Sequence, residues 1–147
     1  MKTEHRFAAP ASRERVWELM LDMPRVGRCF PGVKEVEADG EQSYKGTMQV
    51  RVGPVSLNIT GNMVVTGLDK DLWQASMRVE GADRRLGGGV SGEMLVNLVD
   101  LSDSETEVVV KSDISFMGKL GELGQPIIRK KADSILREFA DNISRQF

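Results

Sequence analysis

Residues 125–147, QPIIRKKADSILREFADNISRQF, space Ile128, Ala132, Ile135, Leu136, Phe139, Ile143 and Phe147 by steps of three and four, so one side of a helix is apolar. Arg129, Lys130, Lys131, Asp133, Arg137, Glu138 and Asp141 fall largely outside that stripe. At about 1.5 Å per residue such a helix runs roughly 33 Å, long enough to cross a small sheet. Almost everything from Val33 to Phe116 reads as strand, so the stripe has one large apolar surface to bury against, a face of that sheet. The expected fold is α+β: a curved antiparallel sheet of about seven strands, two short helices after strand 1, and one long C-terminal helix packed across the sheet.

Working back from the helix, Lys2 to Ala9 alternates as a first strand that Pro10 ends. Ser12 is placed to cap a short helix carrying Val16, Leu19 and Met20, and Asp22 with Pro24 starts a second, which Pro31-Gly32 closes. Strands follow at Val33–Ala38, Tyr44–Val52, Val55–Thr66, Leu72–Glu80, Val90–Leu101 and Glu107–Phe116, parted by turn-forming residues. Between Met117 and Pro126 three glycines weaken a helix, while Leu120, Leu123 and Ile127 keep helical spacing. A loose or kinked turn leading into the firm helix is expected there, and with it a candidate gate.

Whole-chain quantities restrict the function classes. The 147 residues read as a single domain, 1–147, able to fold without disulfides or metals. A net charge of −2 argues against general nucleic-acid binding. One cysteine, Cys29, cannot pair internally, and no leader-like segment or long apolar run occurs, so the sequence reads as cytoplasmic.

The alternation of each strand identifies its inward face. That face carries Tyr44, Gly46 and Met48; then Ile59, Gly61 and Met63; then Trp73, Ala75 and Met77; then Gly92 and Met94. Inward glycine lets a sheet bend and removes volume, and methionine adapts to an irregular guest. The residues alone leave two readings open: a cavity for an apolar small molecule, or a packed core with bulges at the glycines. For the cavity, Met48, Ile59, Met63, Trp73, Met77, Met94, Leu123 and Ile127 are the expected lining.

Catalytic and metal chemistry find no support. A lone His5 and Cys29 make no nitrogen–sulfur metal site, and no acidic loop has cation-binding spacing. Gly87, Gly89 and Gly92 match G-x-G-x-x-G, but a strand rather than a helix follows, so they read as a hairpin. Glu80, Asp83 and Glu93 are the carboxylates nearest the expected rim, and alternation turns Glu80 and Glu93 outward. No covalently bound cofactor, metal or catalytic residue is expected.

The order of elements resembles the helix-grip fold of the START-like, or Bet v 1-like, SRPBCC superfamily. Phe7 to Pro10, Val16-Trp17, Asp22 and Cys29-Phe30-Pro31-Gly32-Val33 look like the opening of the carbon monoxide dehydrogenase G-subunit family. Tyr44-Lys45-Gly46, Val52-Gly53-Pro54-Val55, Thr106, Gly118-Lys119-Leu120 and Leu123-Gly124 are similar to its later landmarks. The resemblance spans essentially the whole chain and transfers no catalytic residues. It implies an accessory protein of a molybdenum hydroxylase system of that type, a partner redox enzyme, and a pocket for a lipid-like molecule such as a quinone. Many family members carry a C-terminal extension that serves as a membrane anchor; nothing follows Phe147 here, so stable anchoring is not expected, and any contact with the inner face of the membrane would be peripheral. Two other readings share the fold: a cyclase-like enzyme using Tyr44, Gln74 or Arg78 in the cavity, and a docking module with no ligand, acting through Pro31-Gly32 and Gly53-Pro54.

Overall fold

The computed structural model describes residues 1–147. Its elements are β1 (Lys2–Ala9), α1 (Arg13–Leu21), α2 (Met23–Gly27), β2 (Val33–Ala38), β3 (Ser43–Val52), β4 (Val55–Asp69), β5 (Gln74–Asp83), β6 (Gly88–Ser102), β7 (Glu105–Met117), α3 (Gly118–Gly121) and α4 (Gln125–Ser144). The seven strands form one antiparallel sheet in the order β1-β7-β6-β5-β4-β3-β2. The α1–α2 excursion therefore carries the chain from one edge of the sheet to the other, and a meander of hairpins returns it to β1.

Local chemistry accounts for the boundaries. The Arg15 and Arg25 N–H groups donate to Ser12 Oγ and Asp22 Oδ1, capping α1 and α2. Pro126 sits in the first turn of α4, where its missing N–H costs nothing, and Gly124 at φ 90° breaks the chain between α3 and α4. One boundary departs from the expected strand at Leu72. The Trp73 N–H donates to Lys70 O and closes a turn with Trp73 itself at φ 53°, so β5 begins only at Gln74.

The interior falls into two apolar clusters. The larger has sixteen buried residues, among them Val16, Trp17, Met77, Val96, Val108, Phe139 and Ile143. It is where α1, β1, β5–β7 and α4 meet. Fully buried Thr106 donates to Ala11 O at 2.8 Å, which gives its hydroxyl a partner inside this core. The smaller cluster, Val52, Leu57 and Leu120, lies at the opposite end, under α3.

Between the clusters the sheet bends. Gly46 pairs with Gly61 and Gly61 with Gly81, so three neighbouring strands carry glycine side by side. A Cβ on Gly46 would overlap the Glu35 carbonyl oxygen, and one on Gly61 the Glu80 carbonyl oxygen. Adjacent backbone passes where a side chain would stand, which is the geometry of a sharply curved sheet.

Asp83, 3% exposed, ties this bend together: its carboxylate accepts from Asn58 N–H on β4 at 2.8 Å and from Leu86 N–H in the β5–β6 turn at 3.1 Å. The Asn58 bond is the main reason its pKa is held below the usual carboxylate value, with burial opposing and Leu86 and Arg85 assisting.

Two measurements check this account. Gly61→Ala should lower stability by about 1–3 kcal/mol in urea unfolding, the range for forcing extra atoms into packed backbone. Because Asp83 has a lowered folded-state pKa, its contribution is complete above the unfolded value of about 3.9 and is lost as pH falls through the folded one. Asp83→Asn should therefore be less stable than wild type at neutral pH, and the gap should close below about pH 4.

Candidate functional site

The inward face of the sheet is buried at its ends and part-open in its middle. On β4, Leu57 (3% exposed) and Val65 (9%) are buried, whereas Ile59, Gly61 and Met63, on the same face between them, are not. On β6, Val96 and Leu98 are buried while Gly92 and Met94 are half-buried, and on β3 burial is complete only at Val52. The middle of each strand faces space rather than side chains. That space is a cavity of about 300 Å³ with almost wholly apolar walls.

The floor is the bent sheet, with Met48, Ile59, Met63, Met77 and Met94 around Gly46 and Gly61. Met20, Met23, Val26 and Phe30, in and just after α1 and α2, form a second wall, and Leu136 and Phe139 of α4 a third. Six of the eight methionines in the chain stand on these walls. Their unbranched, polarizable side chains can repack around guests of different shape. Phe139 is held in place by a stacked contact with Phe30 (4.0 Å between centroids) and an edge contact with Phe7 (6.1 Å). Asn142 Nδ2 donates to Cys29 O at 2.8 Å, pinning the helix to the segment after α2.

Five of the eight expected lining residues, Met48, Ile59, Met63, Met77 and Met94, stand on the cavity wall, and Trp73, Leu123 and Ile127 do not. Trp73 is turned away by its positive φ. Its ring lies edge-on to Trp17 at 6.0 Å, with the Arg13 guanidinium 4.2 Å and the Lys70 ammonium 5.1 Å from its centroid. Leu123 packs on the smaller cluster, and Ile127 is 42% exposed, a Cβ on Gly53 lying 3.5 Å from its Cγ2. The Gly118–Gln125 segment accordingly seals the far end of the core and is not the rim of this cavity. Met20, Met23, Phe30, Leu136 and Phe139 were missed. Leu136 and Phe139 lie on the helix stripe, so the signal that could have found them was present in the sequence.

Polar groups do not converge here. Tyr44 is the polar side chain in phase with the inward face of β3; Gln74 and Arg78 lie off the wall, and Arg78 Nη1 is 3.8 Å from Glu93 Oε1 on the exposed face. Glu35, Lys45, Thr47, Asn62 and Glu80 border the cavity as well, yet its walls are almost wholly apolar, and Asp83 is committed to the backbone of β4 and the β5–β6 turn. Burial raises the Cys29 thiol pKa against the opposing pull of Arg25 and Arg28, so this cysteine is a protonated packing residue rather than a nucleophile. His5 Nε2 lies 3.3 Å from Asp133 Oδ1, joining β1 to α4. No group of three His, Cys, Asp or Glu side chains is placed to hold a metal, and Gly87–Gly92 form the β5–β6 hairpin and the start of β6. No helix is long and apolar enough to cross a membrane.

Comparison with known proteins follows the same lines. The profile of the carbon monoxide dehydrogenase G-subunit (CoxG) family matches residues 6–147. A conserved protein from Geobacillus kaustophilus superposes with a TM-score of 0.90 at 21% identity, over 99% of this chain and 94% of that one. A START superfamily protein from Mycobacterium smegmatis gives 0.75 at 14% identity, over 99% and 95%. The Zhui aromatase/cyclase from Streptomyces sp. R1128 gives 0.62 at 18% identity, over 99% and 94%. A search among curated proteins returned no match. The fold is thus the START-like helix grip: a curved antiparallel sheet closed by a long C-terminal helix.

Half-buried side chains that border the cavity have less to lose than Phe139, which borders it too but is 3% exposed and packed among other rings. Met48→Ala and Met63→Ala should each cost about 1 kcal/mol in urea unfolding, against about 3–5 kcal/mol for Phe139→Ala, whose ring is packed against both Phe30 and Phe7.

Proposed function

The chain belongs to the carbon monoxide dehydrogenase G-subunit (CoxG) family, and on that premise we propose that it is an accessory protein of a molybdenum hydroxylase system of this type, carrying an apolar, lipid-like molecule in the cavity under α4. The observation that carries the proposal is the open middle of an otherwise buried sheet face, with six methionines around about 300 Å³ of space. An empty void of that size would forfeit packing energy throughout its lining, whereas a guest restores those contacts. The volume lies at the lower end of the roughly 300–1,000 Å³ range of small-molecule sites, which suits a ring system better than a full-length lipid tail.

A quinone fits the chemistry of the walls. Its ring is apolar and its carbonyl oxygens accept hydrogen bonds, and Tyr44, in phase with the inward face, offers a hydroxyl donor. Delivery between a redox partner and the inner face of the membrane would need only peripheral contact. A cyclase-like enzyme in the same cavity is the second reading, favoured by that same phenol; Glu35, Lys45 and Glu80 border the cavity too, but they are exposed and its walls are almost wholly apolar, which favours carriage over acid–base chemistry.

Mass spectrometry of small molecules extracted from purified protein should recover a quinone, and a short-chain quinone should bind saturably. Met63→Trp, which fills the cavity, should abolish that binding while leaving the circular dichroism unchanged. Tyr44→Phe should weaken quinone binding roughly fivefold to tenfold, the worth of one hydrogen bond, and leave a pure hydrocarbon guest unaffected. An empty extract together with no saturable binding by wild type would overturn the proposal.

A further inference from the structure

The segment that walls the cavity has a second face. Met23, Val26, Gly27 and Phe30 face the cavity at helical spacing, while Arg25, Arg28 and Cys29 turn the other way, toward Asn142, Arg145 and Gln146 at the end of α4. These six residues line a separate polar cleft. Its three guanidinium groups form no salt bridge, although the chain as a whole carries a net charge of −2.

Two of the three are held in place by neutral partners. Arg25 donates from Nε to Gln146 Oε1 at 2.6 Å and from Nη2 to Gln146 O at 3.4 Å. Arg145 donates from Nη1 to Asn142 Oδ1 at 2.8 Å, and Asn142 is itself fixed by its bond to Cys29 O. Arg28 makes no side-chain hydrogen bond. The C-terminus of α4 offsets only about half a positive charge, so the cleft stays positive. Arg25 and Arg145, held by neutral partners, keep N–H groups to spare, and Arg28 keeps its whole fork free; with no carboxylate within salt-bridge distance, the three suit a tetrahedral oxyanion.

We propose that this cleft binds a phosphate group, which bridges the segment after α2 to the end of α4. The site is independent of the cavity, and its test requires no apolar ligand, so either reading can fail alone. Thermal unfolding and calorimetric titration with inorganic phosphate and with pyrophosphate, against sodium chloride at matched ionic strength, should show saturable stabilisation. Arg28→Gln and Arg145→Gln should each weaken pyrophosphate binding roughly tenfold, whereas Arg137→Gln, on the exposed side of α4, should not change it.

Vesicles distinguish the source of the phosphate. Sedimentation with phosphatidylglycerol but not phosphatidylcholine vesicles, competed by pyrophosphate and weakened by Arg28→Gln, identifies a lipid headgroup. Saturable phosphate binding without vesicle association identifies a free phosphate compound. Stabilisation that follows ionic strength alone, or an Arg28→Gln/Arg145→Gln double variant that binds pyrophosphate like wild type, would overturn the proposal.

Discussion

Phe139 is the point on which the two halves of the molecule close. Stacked on Phe30 and edge-on to Phe7, it joins the long helix to the segment after α2 and to the first strand, three parts of the chain far apart in sequence. With Ile143 it anchors the C-terminal half of α4 in the larger cluster, and the neighbouring Asn142 adds a hydrogen bond to the Cys29 carbonyl. A helix fixed firmly there cannot also follow a sheet that curves away from it. The gap that results is the cavity.

The curvature has its own cause. Gly46, Gly61 and Gly81 stand side by side on three paired strands, where a Cβ on Gly46 or Gly61 would collide with the carbonyl of the next strand. The bend divides the apolar interior into two clusters, with the helix seated on one and α3 on the other. Methionines concentrate where the larger cluster borders the open space, with Met20 and Met77 buried in it and Met63 and Met94 packed against it, a distribution expected of a lining that must adapt. Structure and prospective function thus share one origin, a sheet too strongly bent to be covered by a straight helix.

Much of the fold was legible because its signals are periodic. The stripe from Ile128 to Phe147, the alternation along β3 to β7, and the caps at Ser12 and Asp22 each depend on neighbours within a few residues. The site was legible in part for the same reason: inward methionines and glycines on β3, β4, β5 and β6 follow from alternation alone. Trp73 escaped because alternation holds only inside a strand, and a positive φ places this residue in the turn before β5. Leu123 and Ile127 escaped because Gly124 separates α3 from α4 and sends the first to the smaller cluster and leaves the second exposed.

Sequence by itself determined the class of fold and the inward face of most strands, since these rest on residue type and short-range spacing. Tertiary structure decided where the interior stays open, which helical residues wall it, and that Arg25, Arg28 and Arg145 share one cleft. Those outcomes depend on how far the sheet bends and where the ends of the chain meet, and no local periodicity encodes a distance between residues more than a hundred positions apart.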